Sequence, residues 1–175
     1  MKDLSEVEAL EKLSRPALID LVRTYARLLL TIDGLWFLEA EKSAGITDAL
    51  GFDETVWRQY GQIEASRLKR CLSIERVATM TEMREFMLLS PAWVSVSPEI
   101  ELKAGSCLVT VTQCPHQDSR AGTGLMELAC KPVELAYLDG FLKELNPNAR
   151  IRCLFAPPDE HPPNEWCKWE IRIEE

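Results

Sequence analysis

Apolar residues recur close to a 3.6-residue period through the first half of the chain. Leu18, Leu21, Val22, Tyr25, Leu28, Leu29, Ile32, Trp36 and Leu38 trace one long amphipathic helix. Pro16 suits its first turn, and the run is expected to reach about Lys42 and stop near Gly45. Gly34 inside it costs about 1 kcal/mol relative to Ala, so it marks a kink or a close crossing. A second helix is expected from Asp53, read as its N-cap, to about Leu72. Its apolar stripe is Val56, Trp57, Tyr60, Ile63, Leu68 and Cys71. A third runs from about Thr81 to Leu89 and is ended by Pro91.

The period then changes. Trp93, Val94, Val96 and Ile100 predict a strand broken near Pro98, and Cys107 to Thr112 alternates as a second strand. A loop is expected from Pro115 to Gly124, and a helix from Pro132 to Leu145. Strands follow from Arg150 to Phe155 and from Trp166 to Ile173, joined by a loop with four prolines. The pattern predicts an α+β fold. Residues 1–90 form a helical region packed on a small antiparallel sheet with one backing helix, residues 91–175, and the two share one core.

Composition narrows the function. With 46% apolar and 27% charged residues the chain is of ordinary globular type. A net charge of -8 argues against a nucleic-acid surface, which needs clustered positive charge. The most apolar stretch, Ala26 to Leu38, is too short for a membrane span and is interrupted by Arg27 and Asp33. The first residues, Met1 to Ala9, are acidic and lack a secretory pattern, so a cytoplasmic protein with reduced thiols is expected. Five tryptophans exceed what one small core needs, which predicts a homodimer.

Six cysteines against two histidines is the unusual ratio. Strand parity puts Cys107 with Val109 and Val111, Cys153 with Ile151 and Phe155, and Cys167 with Trp169 and Ile171. These three, and Cys71 on the second helix, read as packing residues. Cys114 has the opposite parity to Cys107 and leads into the polar run Pro115-His116-Gln117-Asp118-Ser119-Arg120. Cys130 precedes Lys131-Pro132, at a helix start where free N–H groups favour a thiolate; the alternative is that it packs beneath the helix. Cys114, His116, Cys130 and Cys167 could together ligate zinc or iron, although the repeated C-x-x-C of strong zinc motifs is absent. Asp33, Trp36, Glu39 and Glu64 lie on apolar helices, and an inward carboxylate would need a partner or a raised pKa. The stiff proline loop could hold Asp159 and His161 over a site edge.

The segments Val111-Thr112-Gln113-Cys114, Glu127-Leu128-Ala129-Cys130-Lys131-Pro132, Arg152 to Asp159 and Glu165-Trp166-Cys167-Lys168-Trp169 resemble a family of uncharacterised cytosolic proteins of anaerobic bacteria and archaea. Ile32 to Glu39, Val56-Trp57-Arg58 and Ile63-Glu64-Ala65 share that likeness. More distantly, Cys114, Cys130 and Cys167 are similar to the cysteines of aminothiazoline-carboxylate hydrolase-like proteins, although Lys168 stands where that pattern has an acid. The resemblance implies a shared fold more than a shared reaction.

Two functions follow as expectations. The first is a protein that binds a small molecule or a metal in a Cys-lined pocket between helices and sheet, with Trp36, Glu39, Glu64, Arg120 and Arg152 as ligand-binding candidates. The second is a Cys-dependent hydrolase acting on a C–N or C–S bond of a small anionic metabolite. There Cys130 or Cys114 is the nucleophile, His116 the base, and Arg120 or Arg152 the holder of a carboxylate. The binding reading is preferred, because no second catalytic group stands at a fixed spacing from either cysteine.

Overall fold

The computed structural model describes residues 5–174. Helix α1 (Glu6–Glu11) is a short capped turn, and α2 (Arg15–Ala44) is the long amphipathic helix. Ser14 caps α2, accepting from Ala17 N at 3.3 Å, and Gly45 ends it at φ 86°, a left-handed value that glycine adopts without steric cost. The chain re-enters helix at once in α3 (Ile46–Leu72), seven residues before the expected start. Asp53 is therefore an interior residue of α3 rather than its N-cap. Its carboxylate is free for other work.

Helix α4 (Met80–Met87) is opened by a Thr79–Glu82 capping box. Two segments depart from expectation. The predicted strand at Trp93 is a helix, α5 (Pro91–Val96): Ser90 Oγ accepts from Trp93 N at 3.3 Å and Pro91 occupies the first turn. These capping signals outweigh a β-branched run too short to set a strand. The predicted loop after Cys114 is also helix, α6 (Pro115–Gly122), again with proline in its first turn.

The rest of the second half matches its pattern. Strands β1 (Glu99–Lys103), β2 (Ser106–Val111), β3 (Ala149–Phe155) and β4 (Cys167–Ile173) form one antiparallel sheet in the order β1-β2-β4-β3. Helix α7 (Lys131–Leu145) backs it. The fold is α+β. The larger core cluster draws Ala65, Met83, Phe86 and Trp93 from the helices together with Leu138, Phe141, Trp169 and Ile171 from the α7–sheet unit, and a smaller one joins Phe37, Ala49 and Leu128. Cys107 lies fully inside this core, as parity requires. Cys71 does not pack: it stands exposed in the last turn of α3. No described helix is long and apolar enough to cross a membrane.

Helices α3 and α7 meet backbone to backbone at Gly61 and Gly140. A Cβ on Gly61 would stand 2.4 Å from the Tyr137 carbonyl oxygen, and one on Gly140 2.7 Å from the Arg58 carbonyl oxygen. This crossing brings one end of α7 level with α2 and α3, and that is where a cavity opens.

Candidate functional site

The cavity lies between α2, α3, the start of α7 and the ends of β2 and β4, with a volume of about 80 Å³. Three carboxylates line it. Asp33 sits on the stripe by which α2 faces the body, among buried Ala26, Leu30 and Phe37. Asp53 comes from α3 and Glu134 from the first turn of α7. The Trp57 indole donates to Asp33 Oδ1 at 3.2 Å. Among the described residues, no lysine or arginine lines the cavity.

Burial and mutual repulsion shape the acids. Burial pushes the Asp33 carboxyl up to about 6, against the lowering effect of the Trp57 hydrogen bond. Burial, with the Asp33 and Glu134 charges added, raises Asp53 to about 7. Glu134 rises to about 7 from burial and the Asp33 charge. Crowded in one small space, the three acids hold their protons well above the ordinary carboxylate range.

His116 faces the same space from α6. Its Nε2 is 3.6 Å from Asp33 Oδ2, and its ring packs on the bare Cα of Gly34, where a Cβ would be 3.4 Å from the imidazole. Gly34 in mid-helix thus marks a close approach. Burial holds the His116 pKa below its ordinary value, so the ring is neutral at neutral pH.

Cys114, Cys130 and Cys167 line this cavity too. Cys114 ends β2 and precedes α6, Cys130 precedes α7, and Cys167 opens β4 opposite Val111. Gln117 fixes the segment between α6 and α7. Its Nε2 donates to the Leu128 carbonyl at 2.8 Å and to Cys130 Sγ at 3.5 Å, while its Oε1 accepts from Leu128 N at 2.9 Å. The expected thiolate at the helix start does not arise. Burial, then the Glu134 charge and Cys114, push the Cys130 thiol well above its usual range, against the lowering effects of the Gln117 hydrogen bond and its own backbone N–H. Cys114 is raised by burial to about 11, and Cys167 rises well above the usual thiol range by burial and Glu134. Among the described residues no group of three or more His, Cys, Asp or Glu side chains could hold a metal ion. Cys114, His116, Cys130 and Cys167 thus share a cavity without forming a ligand set.

Thiol chemistry follows from these environments. At pH 7 N-ethylmaleimide is expected to label exposed Cys71 first, with Cys114, Cys130 and Cys167 at least about tenfold slower. Peptide mass spectrometry over a time course reads this directly. Early labelling of Cys130 would restore its reading as an activated nucleophile.

The other sequence candidates lie elsewhere. Arg120 is buried, but Glu41 takes its guanidinium bidentately at 2.7 and 3.1 Å and the Met126 carbonyl takes its Nε at 2.7 Å. Arg152 stands on the outer face of the sheet, paired with Glu170 at 2.8 Å. Neither arginine can hold a ligand carboxylate in the cavity. Glu39 points to solvent beside Lys42, because it falls off the inward stripe of α2. Trp36 is 72% exposed and borders an outer groove rather than the cavity. Glu64 is buried behind the cavity wall, where Ser90 Oγ and Tyr137 Oη donate to it at 2.7 and 2.9 Å. It anchors Tyr137, which does line the cavity. Asp159 pairs with Lys131 at 2.7 Å, and His161 Nε2 lies 3.3 Å from Glu127 at the surface.

Asp53, Trp57, Gln117 and Glu134 also line the cavity, although the sequence pattern gives them no site role. Glu134 had a readable signal: it lies four residues before buried Leu138 and seven before buried Phe141, on the inward stripe of α7.

No curated protein matches the chain. Residues 11–173, which carry every side chain of the cavity, match the model of a family of unknown function (DUF6125), and the chain belongs to that family.

Proposed function

We propose that the protein binds a small organic cation, a primary ammonium or an ion of similar size, in the Cys-lined cavity between its helices and its sheet. The observation that carries this reading is the convergence of Asp33, Asp53 and Glu134 on a space that no described lysine or arginine enters. A buried carboxylate without a countercharge is costly, and a bound cation removes that cost. The Trp57 and Tyr137 rings, 5.4 Å apart and nearly perpendicular, offer π-faces beside the acids. Neutral His116 and the protonated thiols of Cys114, Cys130 and Cys167 add no positive charge to repel such a ligand.

The alternative of a hydrolase acting on an anionic metabolite draws less support. Its nucleophiles are protonated and its arginines are engaged elsewhere. Binding is tested by melting the protein at pH 8 with methylamine, and with acetate as the anionic control. At methylamine concentrations about 100-fold above the dissociation constant, stabilisation is about 2.7 kcal/mol, or roughly 5–10 °C for a chain of this size. The shift is expected to vanish in Asp53→Asn. A shift with acetate and none with methylamine would reverse the proposed sign of the ligand.

A further inference from the structure

The outer face of α2 is apolar without a partner among the described residues. Val22, Tyr25, Leu29, Ile32 and Trp36 follow one another at alternating steps of three and four residues. Four of these five are more than half exposed, Trp36 at 72%. Leu21, Leu28 and Leu35 repeat every seven residues alongside them, and Leu28 and Leu35 are 54% and 58% exposed. This seam lies to one side of the stripe that faces the body, Ala26, Leu30 and Phe37. A 3.5-residue apolar repeat is the geometry by which one helix packs along another.

We propose that this face is the interface of a homodimer in which each copy packs its α2 against the other's. No polar residue interrupts the eight seam positions, so the two faces are complementary by symmetry. At roughly 100 Å² each they offer about 800 Å² per copy, which is what one partner contributes to a stable interface. A lipid surface suits the face poorly, because a chain of net charge -8 is repelled by anionic headgroups.

The dimer would also complete the site. Leu29, Ile32 and Trp36 of the seam line a groove of about 520 Å³ between α2 and α3, and the same groove is lined by Asp33, Asp53 and Trp57 of the cavity. A second copy seated on the seam covers that groove and shields the two acids from water, which strengthens their hold on a cation. This second step rests on the cation-binding reading; the dimer itself does not.

Light scattering on the full chain at about 50 μM is expected to give a mass near 40 kDa, twice the 19.9 kDa of one chain. Leu28→Glu with Leu35→Glu is expected to give a monomer with an unchanged far-ultraviolet spectrum, since neither residue lines the groove or the cavity. That monomer should bind methylamine at least about tenfold more weakly by calorimetry. A wild-type monomer, or a dimer that survives both glutamates, overturns the interface. A wild-type monomer that sediments with neutral phosphatidylcholine vesicles assigns the face to lipid instead. Unchanged methylamine affinity in the monomeric variant overturns the covering role alone. Failure of the wild-type dimer to bind methylamine overturns the cation reading and leaves the interface standing.

Discussion

Gly61→Ala is expected to destabilise the protein by about 3 kcal/mol or more, although alanine is the better helix former by about 1 kcal/mol. The added methyl would sit 2.4 Å from the Tyr137 carbonyl oxygen and 3.0 Å from Phe141 N. Both are main-chain atoms of α7, so nothing at the end of a flexible side chain can yield. The helices must move apart, and the packing of Phe141 and Leu138 in the core opens with them. Gly51→Ala, in the same helix, meets nothing within 4 Å of its new methyl and is expected to stabilise by about 0.5–1 kcal/mol. Urea unfolding of the two variants reads both signs in one experiment. Similar effects at the two positions would mean that α3 and α7 do not cross at Gly61.

The second large effect is electrostatic. Asp53→Asn is expected to raise stability at pH 8 by on the order of 2 kcal/mol and to have little effect near pH 3. The sign follows from the direction of the shift. The Asp53 carboxyl titrates near 7 in the folded protein and near 3.8 when unfolded. Below about pH 3 both states hold the proton and the group makes no difference. Between pH 4 and 7 the unfolded chain gives up its proton first, so the folded state loses ground as pH rises. Above pH 7 the full cost is present. Asn removes the charge and with it the cost. The difference between variant and wild type isolates this effect from Glu41 and Glu170, whose arginine partners act in the opposite direction. Melting curves from pH 3 to 8 check it. A variant less stable than wild type at pH 8 would mean that the Asp53 carboxylate already has a positive partner.

Much of this architecture was legible in the residues. The long apolar period marks α2 as a helix, although most residues that carry it are exposed and its buried stripe is Ala26, Leu30 and Phe37. The alternation of β3 reports burial directly, because its two faces differ in composition, whereas β2 is buried along nearly its whole length. The misread segments are those where local capping decides. Ser90-Pro91 and Cys114-Pro115 each start a short helix, and neither helix is long enough to display a period. Parity placed Cys107 inside the core and set Cys114 apart from it, and Cys114 and Cys130 do line one cavity. The acids were harder to read. Asp53 resembles an N-cap until the position of Gly45 shows that α3 began earlier. Glu134 resembles a favourable first-turn charge, and only the fold shows that Asp33 and Asp53 crowd around it. Arg120 and Arg152 looked available because their partners, Glu41 and Glu170, are distant in sequence.

The cavity takes its walls from α2, α3, α5, β2, α6, α7 and β4, with Leu30 near one end of the chain and Cys167 near the other. No contiguous stretch of the chain contains it. A ligand held there ties the first long helix to the last strand, and its binding energy resists every opening that parts those walls. The cavity also exists only after β4 has docked beside β2. Affinity for a ligand is therefore a report on completed folding, and a partly folded chain has nothing with which to bind.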